Sequence, residues 1–330
     1  MHHCCLLTPA ARELWGNMGH RMMVAGIRWL IRQAEPEVTF HELDLMRYDA
    51  ELWNWTAQHA DSLVICGVPR LGPMLDSYRG KGFWQDVLAI RSAGVPVADV
   101  SPGTHFLLEP TLDAYVARAL DNPENRYVME CEGQMNLVLP RDAVFVAVAK
   151  ACGIACTLMP CASYWAARAS GISAGKRRLD AWSIRADMGV TPWALTEIDR
   201  HQRIMAEQRR TLVVVQTISD FAAAEQAGIE DLILVTDSLD FLRLMGQVDT
   251  LISLRVHSTI PSLALGVRVL NIRLDSRAMA VDEFGVQSHP IEILREPSLP
   301  LDLAQTGPNA TVMGRHRESF IALWKETMHR

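Results

Sequence analysis

An arginine and a histidine two residues apart, placed where an apolar strand gives way to a helix, make a site for an anion. The segment Thr250-Leu-Ile-Ser-Leu-Arg-Val-His-Ser-Thr-Ile-Pro-Ser-Leu-Ala-Leu-Gly-Val-Arg-Val-Leu-Asn-Ile reads as strand, Arg255 and His257, helix, second strand. A helix that starts there adds unpaired N–H groups and a partial positive charge to the two side chains, a cradle for phosphate or carboxylate. The same residues have a plainer reading, in which Arg255 lies on the surface and His257 is a satisfied histidine capping the helix. A second pair, Arg141-Asp142, precedes another apolar helical stretch; there the plainer reading makes Asp142 a helix cap and Arg141 a solvated loop charge.

Several segments together resemble the polysaccharide pyruvyl transferases. Ser253, Arg255, His257, Ala264, Gly266 and Val267 match that family's strand-Ser-x-Arg-x-His-helix-Ala-x-x-Gly-Val-strand block. Asp275-Ser-Arg-Ala fills the loop after the second strand, so that Arg277 stands where relatives often carry Lys. Arg141-Asp142 matches a strand-x-Arg-Asp block, and Ser101-Pro-Gly-Thr-His-Phe aligns His105 with a site histidine. Trp15-Gly-Asn-Met-Gly-His resembles Gly-Asn-x-Gly-Asp, with Asn17 and Gly19 retained and His20 in place of Asp; Gly67 and Gly72 stand in a glycine-rich turn.

This resemblance implies two facing Rossmann-like α/β domains with largely parallel sheets, a glycosyltransferase-B-like arrangement, and transfer of the pyruvyl group of phosphoenolpyruvate to saccharide hydroxyls as a ketal. Phosphoenolpyruvate is then a co-substrate and no cofactor or metal is expected. Arg141, Arg255, Arg277 and Ser253 would bind the donor, His257 would act as general acid and His105 as acceptor base. Asn17, Gly19, His20 and Gly67 would line the acceptor side, where a saccharide or glycolipid binds. Two rivals stay open: a nucleotide-sugar-dependent glycosyltransferase of the same fold, with its diphosphate at the second-domain helix, and a binding protein without catalysis.

Composition narrows the remaining classes. The 330 residues are 49% apolar and 21% charged, enough for two cored domains. A net charge of −6, with no Lys/Arg run longer than Lys176-Arg177-Arg178, argues against a general nucleic-acid surface but not against a local cationic pocket. Apolar runs such as Thr211–Val215 are too short to span a bilayer, which needs about 20 residues. The N-terminal residues lack a secretory pattern, so the cytosol is the expected location. Seven cysteines, an odd and sparse set, favour reduced thiols; Cys152, Cys156 and Cys161 are not spaced like a common zinc site.

Short apolar runs alternate with amphipathic stretches, the pattern of βα units around a parallel sheet. A first series of strands is predicted near Cys4–Thr8, Val38–Leu43, Ser62–Val68, Pro96–Val100, Val128–Cys131 and Cys156–Met159. A second is predicted near Ala181–Ile184, Thr211–Gln216, Asp231–Thr236, Thr250–Leu254 and Arg268–Ile272. Residues 1–165 are thus expected to form one domain, turn-rich 166–178 a linker, 179–310 a second domain and 311–330 a terminal helix. In open α/β sheets, ligands sit beyond the carboxyl ends of the strands, which puts the expected site in the cleft between the domains.

Overall fold

The computed structural model describes residues 2–9, 18–45, 50–73, 81–185 and 190–328. The first half contains β1 (His3–Thr8), α1 (Met18–Ala34), β2 (Thr39–Asp44), α2 (Ala50–His59), β3 (Ser62–Cys66), β4 (Pro69–Leu71) and α3 (Lys81–Ser92). It continues through β5 (Val97–Val100), β6 (Gly103–Thr104), α4 (Leu112–Asp121), α5 (Pro123–Glu132), β7 (Leu137–Leu139), α6 (Ala143–Ala151) and α7 (Ala166–Ala169). Its main sheet has the order β2-β1-β3-β5-β7, parallel throughout, and β4 pairs with β6 in a small ribbon.

The second half contains β8 (Leu179–Ser183), α8 (Pro192–Gln208), β9 (Thr211–Val215), α9 (Ile218–Gln226), β10 (Leu232–Leu234), α10 (Ser238–Met245) and β11 (Val248–Ser253). After these come α11 (Val256–Ala264), β12 (Arg268–Arg273), α12 (Met279–Asp282), β13 (Ser288–Pro290) and α13 (Ala310–Met328). Its sheet has the order β10-β9-β8-β11-β12-β13, and its strands are parallel. The chain is therefore an α/β protein of two domains, each a parallel sheet. Strands such as β3, buried at every position, are what a sheet covered by helices on both faces requires.

Two expected strands are absent. Val128–Cys131 lies in α5, where Asn122 caps the helix and Pro123 opens it. Asn125, Val128, Met129 and Glu132 are buried at helical spacing, so the apolar run serves a helix face rather than a pleat. Cys156–Met159 runs along β7 with two bonds, Thr157 N–H to Val138 O (3.1 Å) and Met159 N–H to Pro140 O (2.8 Å), and ends at Pro160, which has no N–H to extend a ladder. The missing fifth strand is Leu137–Leu139.

Between the two sheets the chain is helical first: Ala162–Trp165 forms a 3-10 turn that runs into α7, and these residues pack into the core formed around α1. The Cβ that Gly26 lacks would fall 1.8 Å from the Ala162 carbonyl oxygen, so the glycine permits the close approach of helix and turn. Helix α13 returns to the first domain. Its Phe320, Trp324 and Met328 are buried in the same core as Met22, Met23 and Ile27 of α1, and the Trp324 indole donates to the Glu35 carboxylate.

Candidate functional site

Strand β11 ends at Ser253, whose hydroxyl accepts from the Arg255 N–H (3.2 Å) and donates to the Arg255 carbonyl (3.0 Å). This tight turn leaves Arg255 extended just before α11, and Val256 and His257 of the first turn line the gap between the domains. Gly266 follows the helix at a φ of 72°, which lets the chain turn straight into β12. A cleft opens there, lined by Arg141 of the first domain and by Arg185, Arg255 and Arg277 of the second, together with Gln216 and Asn271.

Each guanidinium is held by a different device. Arg255 donates from Nε to the Ile184 carbonyl (2.8 Å) and pairs through its other end with buried Asp220. Arg277 chelates Asp275, from Nε at 2.8 Å and from its backbone N–H at 3.0 Å. Arg185 reaches the same carboxylate at 3.6 Å. Burial alone would raise the Asp275 pKa, but the bonds and charge of Arg277 overcome this and hold it below the usual carboxylate range.

Arg141, 1% exposed, is buried deepest. Its Nη1 donates to the Met23 thioether (2.8 Å) and lies 3.4 Å from His257 Nε2, while its Nε has no partner among the described residues. Gly103 leaves room for that guanidinium, since a Cβ there would fall 2.6 Å from Arg141 Nε. Asp142 caps α6, accepting from the Phe145 N–H (2.9 Å), and also accepts from the Thr104 N–H (2.9 Å). The capping role expected for Asp142 is therefore present, and it places Arg141 in the cleft rather than in solvent.

His257 points into the first domain, with its ring 6.2 Å from that of His20. Burial, and then the positive charges of Arg141 and its neighbours, push the His257 pKa well below its ordinary value. The same causes take His20 down to about 4. Both imidazoles are neutral near pH 7, which fits the Arg141 N–H donating to Nε2 of His257. Gly19 faces His257 across the domain boundary. Gly67, at a φ of 47°, lies against the Met23 sulfur that Arg141 contacts, so it supports the site without lining it. Asn17 lies outside the described residues.

His105 sits at the edge of the cleft, its Nε2 3.8 Å from Asp275. The strand-like Gly103–Phe106 segment is stitched to the second domain at Ser276, whose hydroxyl accepts from the Phe106 N–H (2.8 Å) and from the Thr104 hydroxyl (3.0 Å). Ser276 N–H in turn donates to the Phe106 carbonyl (3.0 Å). Sequence reasoning missed Arg185, Gln216, Asp220 and the role of Asp275. Three of the four stand one or two residues beyond the ends of β8, β9 and β12, so the rule that ligands lie past the carboxyl ends of parallel strands would have flagged them. Among the described residues no group of three or more His, Cys, Asp or Glu side chains is placed to hold a metal ion. No helix among them is long and apolar enough to cross a membrane.

No family model matches the chain, and no curated protein matches it. Solved structures do. It is similar to the UDP-GlcNAc 2-epimerase of Neisseria meningitidis bound to UDP-GlcNAc, with a TM-score of 0.59 and 11% identity over 99% of this chain and 100% of that one. It is similar to MnaA of S. aureus in a co-structure with UDP, with a TM-score of 0.57 and 11% identity over 99% and 98%. The UDP-GlcNAc 2-epimerase of Methanocaldococcus jannaschii, in complex with UDP-GlcNAc and UDP, gives 0.55 and 12% over 99% and 100%. At such identities the likeness establishes the fold, and it bears out the glycosyltransferase-B-like arrangement.

These findings overturn the resemblance to polysaccharide pyruvyl transferases, and phosphoenolpyruvate loses its basis as donor. The physical reason lies in the motif itself. Ser253 closes a strand-to-helix turn, Gly266 supplies a left-handed exit and the apolar positions bury a βαβ unit, so most of the pattern reports fold rather than reaction.

Proposed function

We propose that the chain is an enzyme acting on a nucleoside diphosphate sugar and transferring its glycosyl group, with the diphosphate held at the N-terminus of α11. The observation that carries this reading is the convergence of Arg141, Arg185, Arg255 and Arg277 on one interdomain cavity, where the acidic residue among the described lining is Asp275. Planar guanidiniums suit phosphate oxygens because they donate two parallel bonds, and the helix N-terminus adds to the same field. The full-length likeness to folds solved with UDP and UDP-GlcNAc supports a ligand of that kind.

Cleaving the sugar C1–O bond leaves its electron pair on the diphosphate, and the arginines stabilise the charge that develops there. Arg255 and Arg277 need not move far: each carries a carboxylate, Asp220 or Asp275, that fixes its orientation before the ligand arrives. His105, at the edge of the cleft with its Nε2 3.8 Å from Asp275, is the base for the incoming hydroxyl. His257 holds the Arg141 guanidinium in the cleft through its neutral Nε2.

Calorimetric titration with UDP, GDP and inorganic phosphate tests the reading. A nucleoside diphosphate is expected to bind at least tenfold more tightly than phosphate. If none of the diphosphates bound, or phosphate bound equally well, the site would be a simple anion site and the reading would fall.

A further inference from the structure

A groove runs between α1, the turn that leads into α7 and the first turns of α13. It is separate from the arginine-lined cleft: Trp29 stands ten residues along α1 from Gly19, the residue that meets His257, and the helical rise makes that about 15 Å. Trp29, Tyr164, Trp165 and Met313 supply the apolar part of the lining, Arg168 and Arg317 supply its charge, and no acidic residue is among the described lining. The rings are set in advance. Trp165 is buried and meets Tyr164 edge-on at 5.7 Å, and Tyr164 stacks on Phe284 of the second domain at 5.3 Å. Trp29 is half-buried, which leaves part of its indole to a ligand. The two guanidiniums are little used within the chain. The Arg168 side chain makes no hydrogen bond or ion pair among the described residues, although its charge reaches the Tyr164 phenol, where it opposes the upward push of burial on the pKa. Nε of Arg317 is buried with no partner among them, and its Nη2 has a loose contact, 3.7 Å, with exposed Glu318. Arg177, by contrast, is filled by the carbonyls of Val248, Leu265 and Gly266.

We infer that this groove binds a saccharide carrying a negative charge, as carboxylate or as phosphate. The site lies beyond the reading given to the arginine cleft and does not depend on it. Two guanidiniums with no carboxylate in the lining call for an anion, and each planar fork can hold a carboxylate or phosphate through two parallel N–H groups. The Trp29 indole offers an apolar face to the C–H face of a sugar ring, and the Tyr164 hydroxyl is a donor and acceptor for the ring's own hydroxyls. An apolar partner or a lipid surface fits less well. None of the exposed large apolar side chains of the described residues lines the groove.

Saturation-transfer NMR titration of the full chain tests this with tetragalacturonate and glucose 6-phosphate against their neutral counterparts, maltotetraose and glucose. At least one charged sugar is expected to bind roughly tenfold or more tightly than its neutral counterpart, and which one does so identifies the charge as carboxylate or phosphate. Arg168→Gln, at an exposed position, should reduce that advantage, and Arg168→Gln/Arg317→Gln should abolish it with the melting temperature little changed. Trp29→Ala should weaken the charged sugar as well, because its ring loses the indole face. Added UDP should leave the affinity unchanged. Equal binding of charged and neutral sugars, an advantage that survives in the double arginine variant, or displacement by UDP would overturn the inference. Full affinity in Trp29→Ala would do the same, leaving a simple anion site. Absence of UDP binding would count instead against the reading of the cleft, and the arginine and tryptophan variants would still decide the groove.

Discussion

Gly19 lies so close to His257 that a Cβ on it would fall 2.1 Å from Nδ1 of the imidazole. One residue from the first domain thus sets the position of a second-domain histidine, and through it the Arg141 contact. Gly19→Ala must displace the ring, and overpacking of this kind costs about 1–3 kcal/mol. Chemical denaturation should register that loss, and UDP affinity should fall with it as Arg141 loses its neighbour. An alanine variant with unchanged stability and affinity would mean that the ring has room to rotate away at no cost.

Arg255→Lys keeps the charge but cannot serve the Ile184 carbonyl, Asp220 and a ligand together. Loss of one charge-assisted bond, about 1.5–3 kcal/mol, weakens UDP binding by roughly ten- to a hundredfold. Titration and melting should be measured side by side. A drop in melting temperature with undiminished affinity would assign Arg255 to the fold alone.

The lowered pKa of His20, about 4 in the folded chain against an ordinary 6.5, makes stability depend on pH. The unfolded state binds the proton more readily, so this contribution is complete above about pH 6.5 and is lost as pH falls towards 4. His20→Gln should flatten the fall in melting temperature between those limits. If wild type and variant lose stability in parallel, His20 titrates normally.

A bound diphosphate offsets the arginine charge that helps keep His257 and His20 neutral, so their pKa values rise in the complex. UDP binding at pH 6 should therefore take up protons, seen as a dependence of the calorimetric heat on buffer ionisation enthalpy. The uptake should shrink in His257→Gln. Heats that do not vary with buffer would place the ligand away from both histidines.

Ser276→Ala removes the acceptor of the Phe106 N–H in a fully buried place. The cost of an orphaned buried group, about 1–3 kcal/mol, should appear in denaturation. Hydrogen exchange at Phe106 should quicken as well, because the bond joins the two domains. Protection at Phe106 equal to that of wild type would show that another group takes over.

The βα order of both domains was legible because parallel strands buried on two faces read as short apolar runs, as in Ser62–Cys66 and Thr211–Val215. Val128–Cys131 misled because a four-residue run, three of its residues apolar or sulfur-bearing around Glu130, carries no period long enough to separate strand from helix. Arg141, Arg255, Arg277 and His257 were readable as a set, and the structure brings them to one cavity. Arg185 and Gln216 were not, since a single polar residue after a strand looks like any loop residue until sheet order places it. The family was misread because βαβ geometry and anion binding impose the same few residues on different reactions.

The bond between Trp324 and Glu35 joins residues 289 positions apart, and Phe320 and Met328 close the core around α1 from the same distance. During synthesis, the part of the α1 core that Phe320, Trp324 and Met328 close is therefore left open until the whole second domain has emerged. Parallel pairing already favours slow folding because its contacts are non-local. The first half of this chain is accordingly a half-finished object for most of its synthesis, open to misassociation or chaperone capture until its final helix arrives.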